Sequence, residues 1–157
     1  MDANDLLEKY SKGIRDFRGA DLRGSDLAEA ELAHADFRGA DFRRANLVGA
    51  DLAHAGLART DFTRANLTGV NLQNADLRRA LLVEAMLYLA DLSGADLREA
   101  TLARADVSGA HLVQAALCGA DLRRATFYGS NLAGADLTDA RCRGTEFRKA
   151  NLRWTTR

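Results

Sequence analysis

The chain has 157 residues and no proline, and its 22 Lys and Arg balance 22 Asp and Glu. That balance removes net charge as a reason to expect either a polyanion binder or an acidic decoy. The length suits one domain, and no apolar run reaches the roughly 18–20 residues that cross a bilayer.

The N-terminal segment MDANDLLEKYSKG is charged and lacks the apolar core of a secretory signal. Two cysteines, Cys118 and Cys142, are too few for a disulfide framework, so a reduced, cytoplasmic protein is expected. Asp2 is placed to N-cap a short helix over residues 3–12, with Leu6, Leu7, Tyr10 and Ile14 on its apolar side and Gly13 as its stop. Residues 1–14 are therefore expected to form a helical lid, and 15–157 the body.

The body is a repeat. From Phe17 to Leu152 every fifth residue is Leu or Phe, except Val107 and Cys142, through 28 repeats without an insertion. Two positions before each of these centres, 22 of 28 residues are Ala. Ser25, Thr60, Val70, Ser130 and Thr145 are small substitutes, and Arg15 at the entry is not. The residue just before the centre is Asp or Asn in 18 repeats. A period of five fits neither the helical 3.6 nor the strand alternation of two. The chain must instead turn inward every five residues, burying one large and one small side chain each time. Eleven of the 13 glycines fall two places after a centre, Gly19, Gly69 and Gly134 among them, which is the register of a corner that needs positive φ.

This A-(D/N)-L-x-x pattern, over about residues 15–155, resembles the pentapeptide-repeat family. The resemblance implies an all-β fold, a right-handed quadrilateral β-helix (a solenoid) with a short N-terminal capping helix. Four repeats per 20-residue coil give about seven coils. Taking every twentieth residue then stacks Phe17 with Phe37, Phe42 with Phe62 and Phe127 with Phe147, beside an all-Leu column from Leu32 to Leu152. His34 and His54 stack outside on the same logic. The four faces are numbered here by their first centres, Phe17, Leu22, Leu27 and Leu32.

Three surface features stand out. The second face carries nine arginines, including Arg43, Arg44, Arg64, Arg104, Arg123 and Arg124, against five acids. It reads either as a ladder for an anionic partner or as a solvated face on which Asp21, Asp41, Asp61 and Asp121 pair with the arginines. The second account is favoured, and with no aromatics interleaved to stack bases, direct nucleic-acid binding is the weaker reading. In mid-rod, the repeats LLVEA and MLYLA place Leu81, Val83, Met86, Tyr88 and Leu89 outside, an apolar patch that reads as a protein contact, with tolerated drift of the repeat as the alternative. At the C-terminus, either Trp154 folds over the last coil or two molecules meet there. Other family members pair through that end, so the resemblance implies a homodimer through Phe147, Leu152 and Trp154, with a frayed monomer end as the alternative.

Catalytic constellations are poor. The three histidines share one face without a zinc-type cluster. Cys118 should point out and Cys142 in, so neither a disulfide nor a Cys–His dyad follows. A filled rod leaves no pocket for a cofactor or small-molecule substrate. The reading is a non-catalytic protein-interaction or structural scaffold. The alternative, implied by the resemblance, is a DNA mimic that binds a type II topoisomerase such as DNA gyrase and protects it, as quinolone-resistance members do. The neutral, uninterrupted, arginine-faced sequence departs from the acidic pattern of those members.

Overall fold

The computed structural model describes residues 1–157 and contains one regular element, helix α1 (Ala3–Ser11), followed by the repeat. The Asp2 side chain accepts the Asp5 amide at 2.8 Å, and Gly13 leaves the helix at φ 86°. Only one edge of α1 packs on the coil below: Leu6 is fully buried, and the Tyr10 hydroxyl donates to the Ala33 carbonyl at 2.9 Å. Leu7 and Ile14, expected on the packed side, are exposed. Arg15, the one large residue at a small-residue position, is exposed, and its guanidinium carbon lies over the Tyr10 ring, 3.7 Å from the centroid.

Beyond α1 every repeat with a coil on both sides has the same hydrogen-bond plan. The centre amide donates to the next coil, as Leu22 N does to the Asp41 carbonyl at 2.8 Å, and the corner amide does likewise, Gly24 N to the Arg43 carbonyl at 2.9 Å. The amide before the centre donates to the previous coil, Asp41 N to the Ala20 carbonyl, and the small residue closes the turn, Ser25 N to the Leu22 carbonyl. Four of five amides are thus paired with backbone. The fifth, just after the centre, has no backbone acceptor, and the Asp or Asn side chain two residues earlier takes it. Thr63 N donates to Asp61 Oδ1 at 2.9 Å, and Thr68 N to Asn66 Oδ1 at 3.1 Å. Backbone groups demand partners, which explains why the repeat prefers Asp or Asn at this place.

Parallel bridges join residues 20 apart, Asp21 to Asp41, Asp41 to Asp61 and Asp61 to Leu81 on one face. Each side of the coil contributes a single paired residue between corners, so the ladder consists of isolated bridges rather than extended strands. All corners from Gly19 to Trp154 have positive φ, the type II turn pattern. Seventeen of them are not glycine and sit at φ between 55° and 60°. The tube imposes this conformation even where L side chains resist it, by about 1–2 kcal/mol each.

The interior is a continuous column of Leu, Phe and Ala. The Phe17–Phe37, Phe42–Phe62 and Phe127–Phe147 rings stack at 5.4, 5.2 and 5.3 Å. Small polar residues that replace Ala are satisfied, the buried Thr60 hydroxyl donating to the Phe37 carbonyl and Ser130 to that of Phe127. At the C-terminal end the last coil has nothing stacked upon it. Cys142 occupies a centre but is exposed there, contrary to its expected burial, and Phe147 and Leu152 are only partly buried.

Candidate functional site

The mid-rod patch arises from two departures from the repeat rule. Leu81 and Met86 occupy the Asp/Asn position, so the amides of Val83 and Tyr88 receive no side-chain acceptor and make no hydrogen bond within the chain. Both residues are exposed, as are Tyr88 and Leu89, and Val83 is half-buried. Leu81 and Val83 lie on the second face, and Met86, Tyr88 and Leu89 on the third, so the patch wraps one edge of the rod. Leu89 holds a corner at φ 57° and is 53% exposed. It leans toward the next coil, where Gly109 leaves it room: a Cβ there would sit 2.9 Å from Leu89 Cδ2. Gly109 lies 20 residues after Leu89, so the same register that finds the patch finds this seat. Glu84, between the two faces, is tied by Arg64 at 2.7 Å and by Arg104 at 3.4 Å. Tyr128, two coils from Tyr88 in its column, instead has Arg148 over its ring at 5.3 Å.

The arginines divide into two kinds. Those just after a centre fold back on the aspartate just before it, as Arg43 does on Asp41 at 2.6 Å and Arg123 on Asp121 at 2.7 Å. These contacts, with Arg23 on Asp21 and Arg18 on Asp16, hold the aspartates below the ordinary carboxylate range, Asp16 and Asp21 at about 2. Corner arginines have no such partner in their own repeat. Arg64 and Arg104 reach Glu84, whereas Arg44 and Arg124 lie beyond salt-bridge distance of any carboxylate, as does Arg143, which follows its centre but has Arg141 rather than an aspartate before it. By count the half of the second face before residue 100 is balanced, with four arginines and four acids. From Thr101 onward there are five arginines (104, 123, 124, 141 and 143) to one acid, Asp121, and Arg104 reaches back to Glu84.

A feature of the first face escaped the sequence reading. The repeat AGLAR places Gly56 and Ala58 where its neighbours have an Asp–Arg pair, and the resulting notch is lined by Arg38, Arg59, Arg78 and Arg98. The missing pair in that repeat was the available signal.

Other candidates stay apart. The His34 and His54 rings stack at 4.9 Å, and no group of three His, Cys, Asp or Glu converges to ligate a metal. Cys118 donates its thiol to Asp136 at 2.9 Å, which with burial raises its pKa; burial also raises that of Cys142. No helix is long and apolar enough to cross a membrane. At the C-terminal end, Cys142 and Phe147 line an apolar recess with Leu137 and Ala140. Trp154 sits on a corner at 80% exposure and does not cover that end.

A family model described as pentapeptide repeats matches eight copies over residues 16–52, 45–82, 65–103, 100–139 and 125–156. The chain belongs to the pentapeptide repeat family. Solved relatives of the family share the architecture, a right-handed quadrilateral β-helix. HetL, a pentapeptide repeat protein involved in heterocyst differentiation regulation from the cyanobacterium Nostoc sp. strain PCC 7120, is 24% identical at a TM-score of 0.51, covering 99% of this chain and 96% of its own. Trypsin-treated QnrB1, a plasmid-mediated fluoroquinolone resistance protein, is 20% identical at a TM-score of 0.60, covering 90% of this chain and 84% of its own. At these identities the likeness extends to the fold. Among curated proteins no relative matches. What distinguishes this pentapeptide repeat protein is therefore the set of outward positions that break the family's pattern.

Proposed function

We propose that this pentapeptide repeat protein is a non-catalytic, cytoplasmic interaction scaffold that docks a protein partner on its mid-rod patch. One observation carries the reading: Leu81 and Met86 replace the residues that would cap the Val83 and Tyr88 amides and expose apolar side chains instead. Asp or Asn at these places would give each repeat one more hydrogen bond, worth about 0.5–1.5 kcal/mol. Two consecutive repeats forgo it side by side, on one edge, with Tyr88 and Leu89 completing a contiguous apolar surface rimmed by polar residues. A DNA-mimicking role toward a topoisomerase calls for an acidic surface, and here the second face carries an excess of arginine. Pairing of two rods through the C-terminal ends belongs to the same proposal, supported by the partly exposed Phe147 and Leu152.

Site-specific photo-crosslinking in cells tests the docking. An aromatic photo-crosslinker replacing Tyr88 should trap a discrete protein that the same residue at Ser93, on the fourth face, does not. Equal trapping at both positions, or none at Tyr88, would remove the patch from the account.

A further inference from the structure

We infer that the second face from Thr101 onward, together with the adjoining apolar saddle of Val83 and Ala103, receives an acidic amphipathic helix of the partner protein. This rests on the scaffold reading and adds the chemistry of what is bound. The charge excess of the face is confined to this half, and Arg124 and Arg143 have no carboxylate within salt-bridge distance. The sequence itself opens the site. Thr101 and Arg141 stand where the repeat would put a neutralising Asp, and Ala103 stands where an arginine would cover the groove. Ala103, Arg104, Arg123, Arg124 and Arg143 line that shallow groove. Gly144 leaves room for the Arg124 stem, since a Cβ there would lie 3.4 Å from Arg124 Cγ. Toward the N-terminus the floor becomes apolar at Val83, which adjoins the exposed Leu81.

Spacing selects the occupant. Arg104 and Arg124 share one column, and Arg123 and Arg143 another, each pair one coil apart. The coil repeat is visible in the 4.9 Å between the stacked His34 and His54 rings. Carboxylates three or four residues apart on a helix are about 5–6 Å apart, so a helix lying along the rod keeps them in step with the arginines. An extended segment places same-face residues about 6.5–7 Å apart and falls out of register. The unpaired Arg124 and Arg143, one in each column, supply forked donors for carboxylates, beside Arg104 and Arg123, which Glu84 and Asp121 already hold. A single nucleic-acid strand would want aromatic platforms among the arginines, and the groove has none.

The test is fluorescence anisotropy with the full chain and two labelled probes: a helical peptide with glutamates at i, i+4 spacing and one leucine face, and a single-stranded 20-mer DNA. The peptide should bind saturably, more weakly as salt rises, and the R124E/R143E double variant should raise its Kd about tenfold or more. The R23E/R44E variant, in the balanced half, should change it less than about twofold. Absence of saturable peptide binding, or equal losses in both double variants, would overturn the inference. Tighter binding of the DNA, lost in R124E/R143E, would overturn it in favour of a nucleic-acid surface. Crosslinking at Tyr88 reads out the patch independently, so failure of the acidic-helix inference leaves the scaffold reading separately decidable.

Discussion

Replacing Asp61 examines why the repeat uses Asp or Asn before its centre. Asp61 Oδ1 accepts the Thr63 amide at 2.9 Å, while Oδ2 lies 3.7 Å from Arg43 Nε, an arginine already held at 2.6 Å by Asp41. The amide contact is the short one, and the ion pair is long, partly exposed and worth well under 1 kcal/mol. Asp61→Ala should therefore cost about 1 kcal/mol, the net value of one hydrogen bond. Asp61→Asn, which keeps an oxygen at the same place, should stay within about 0.5 kcal/mol of wild type. In a chain of this size the alanine variant should melt about 2–4 °C lower. Urea unfolding followed by circular dichroism gives both values, with an unchanged slope showing that the unfolded state is the same. If the asparagine variant fell as far as the alanine variant, charge rather than amide acceptance would be what the position supplies. An unaltered alanine variant would refute the amide account altogether.

Three further outcomes follow from the same geometry. Gly69 sits at φ 65° with nothing within 4 Å of where a Cβ would be, so Gly69→Ala should lose about 1 kcal/mol from backbone strain alone in a urea titration. The aspartates bonded to arginines, Asp16 and Asp21 at about 2 and Asp36, Asp41, Asp76, Asp96 and Asp121 also lowered, have folded pKa values below the unfolded 3.8. Their contribution is present above the unfolded value and lost as pH falls toward the folded one, so the urea midpoint should decline between about pH 5 and 2; a midpoint flat down to pH 2.5 would contradict it. Trp154→Glu, at a corner 80% exposed, should convert dimers to monomers by light scattering while leaving the circular dichroism spectrum of the rod unchanged, and a wild type already monomeric would remove the pairing.

The repeat was legible because each of its five positions has one physical task. Leu and Phe fill the axis, Ala lets the wall close, Asp or Asn takes the spare amide, and glycine marks the corner. The Phe pairs and the His34–His54 stack follow from the 20-residue coil implied by the resemblance, and they are found. Corner conformation was visible at the glycines and hidden elsewhere: Arg44 or Leu89 gives no local sign of positive φ, which the ladder enforces. The ends were harder, because there the periodic constraint stops. Leu7 and Ile14 look like lid residues by helical spacing, yet α1 is too short to bury more than the edge that carries Leu6. Cys142 follows the centre register and is still exposed, since nothing covers the last coil there, whereas the centres of the first coil are buried at the end that carries α1. On the second face the sequence supplies the arginines, but which of them are unpaired depends on their position around the corner. An arginine just after the centre reaches its own aspartate where one precedes the centre, as Arg123 does; the corner Arg124 does not, and Arg143 has Arg141 in that place.

The central claim, that Leu81 and Met86 serve docking rather than the rod, meets its most direct test in the L81N/M86N double variant bearing the crosslinker at Tyr88. Two restored amide acceptors contribute about 0.5–1.5 kcal/mol each, which offsets the loss of two partly exposed apolar side chains, about 1 kcal/mol apiece. The variant should melt within about 3 °C of the rod with wild-type residues at both positions and lose the protein trapped at Tyr88. Retention of the crosslink, or a rod markedly destabilised by the change, would show that these residues belong to the scaffold and not to its contact.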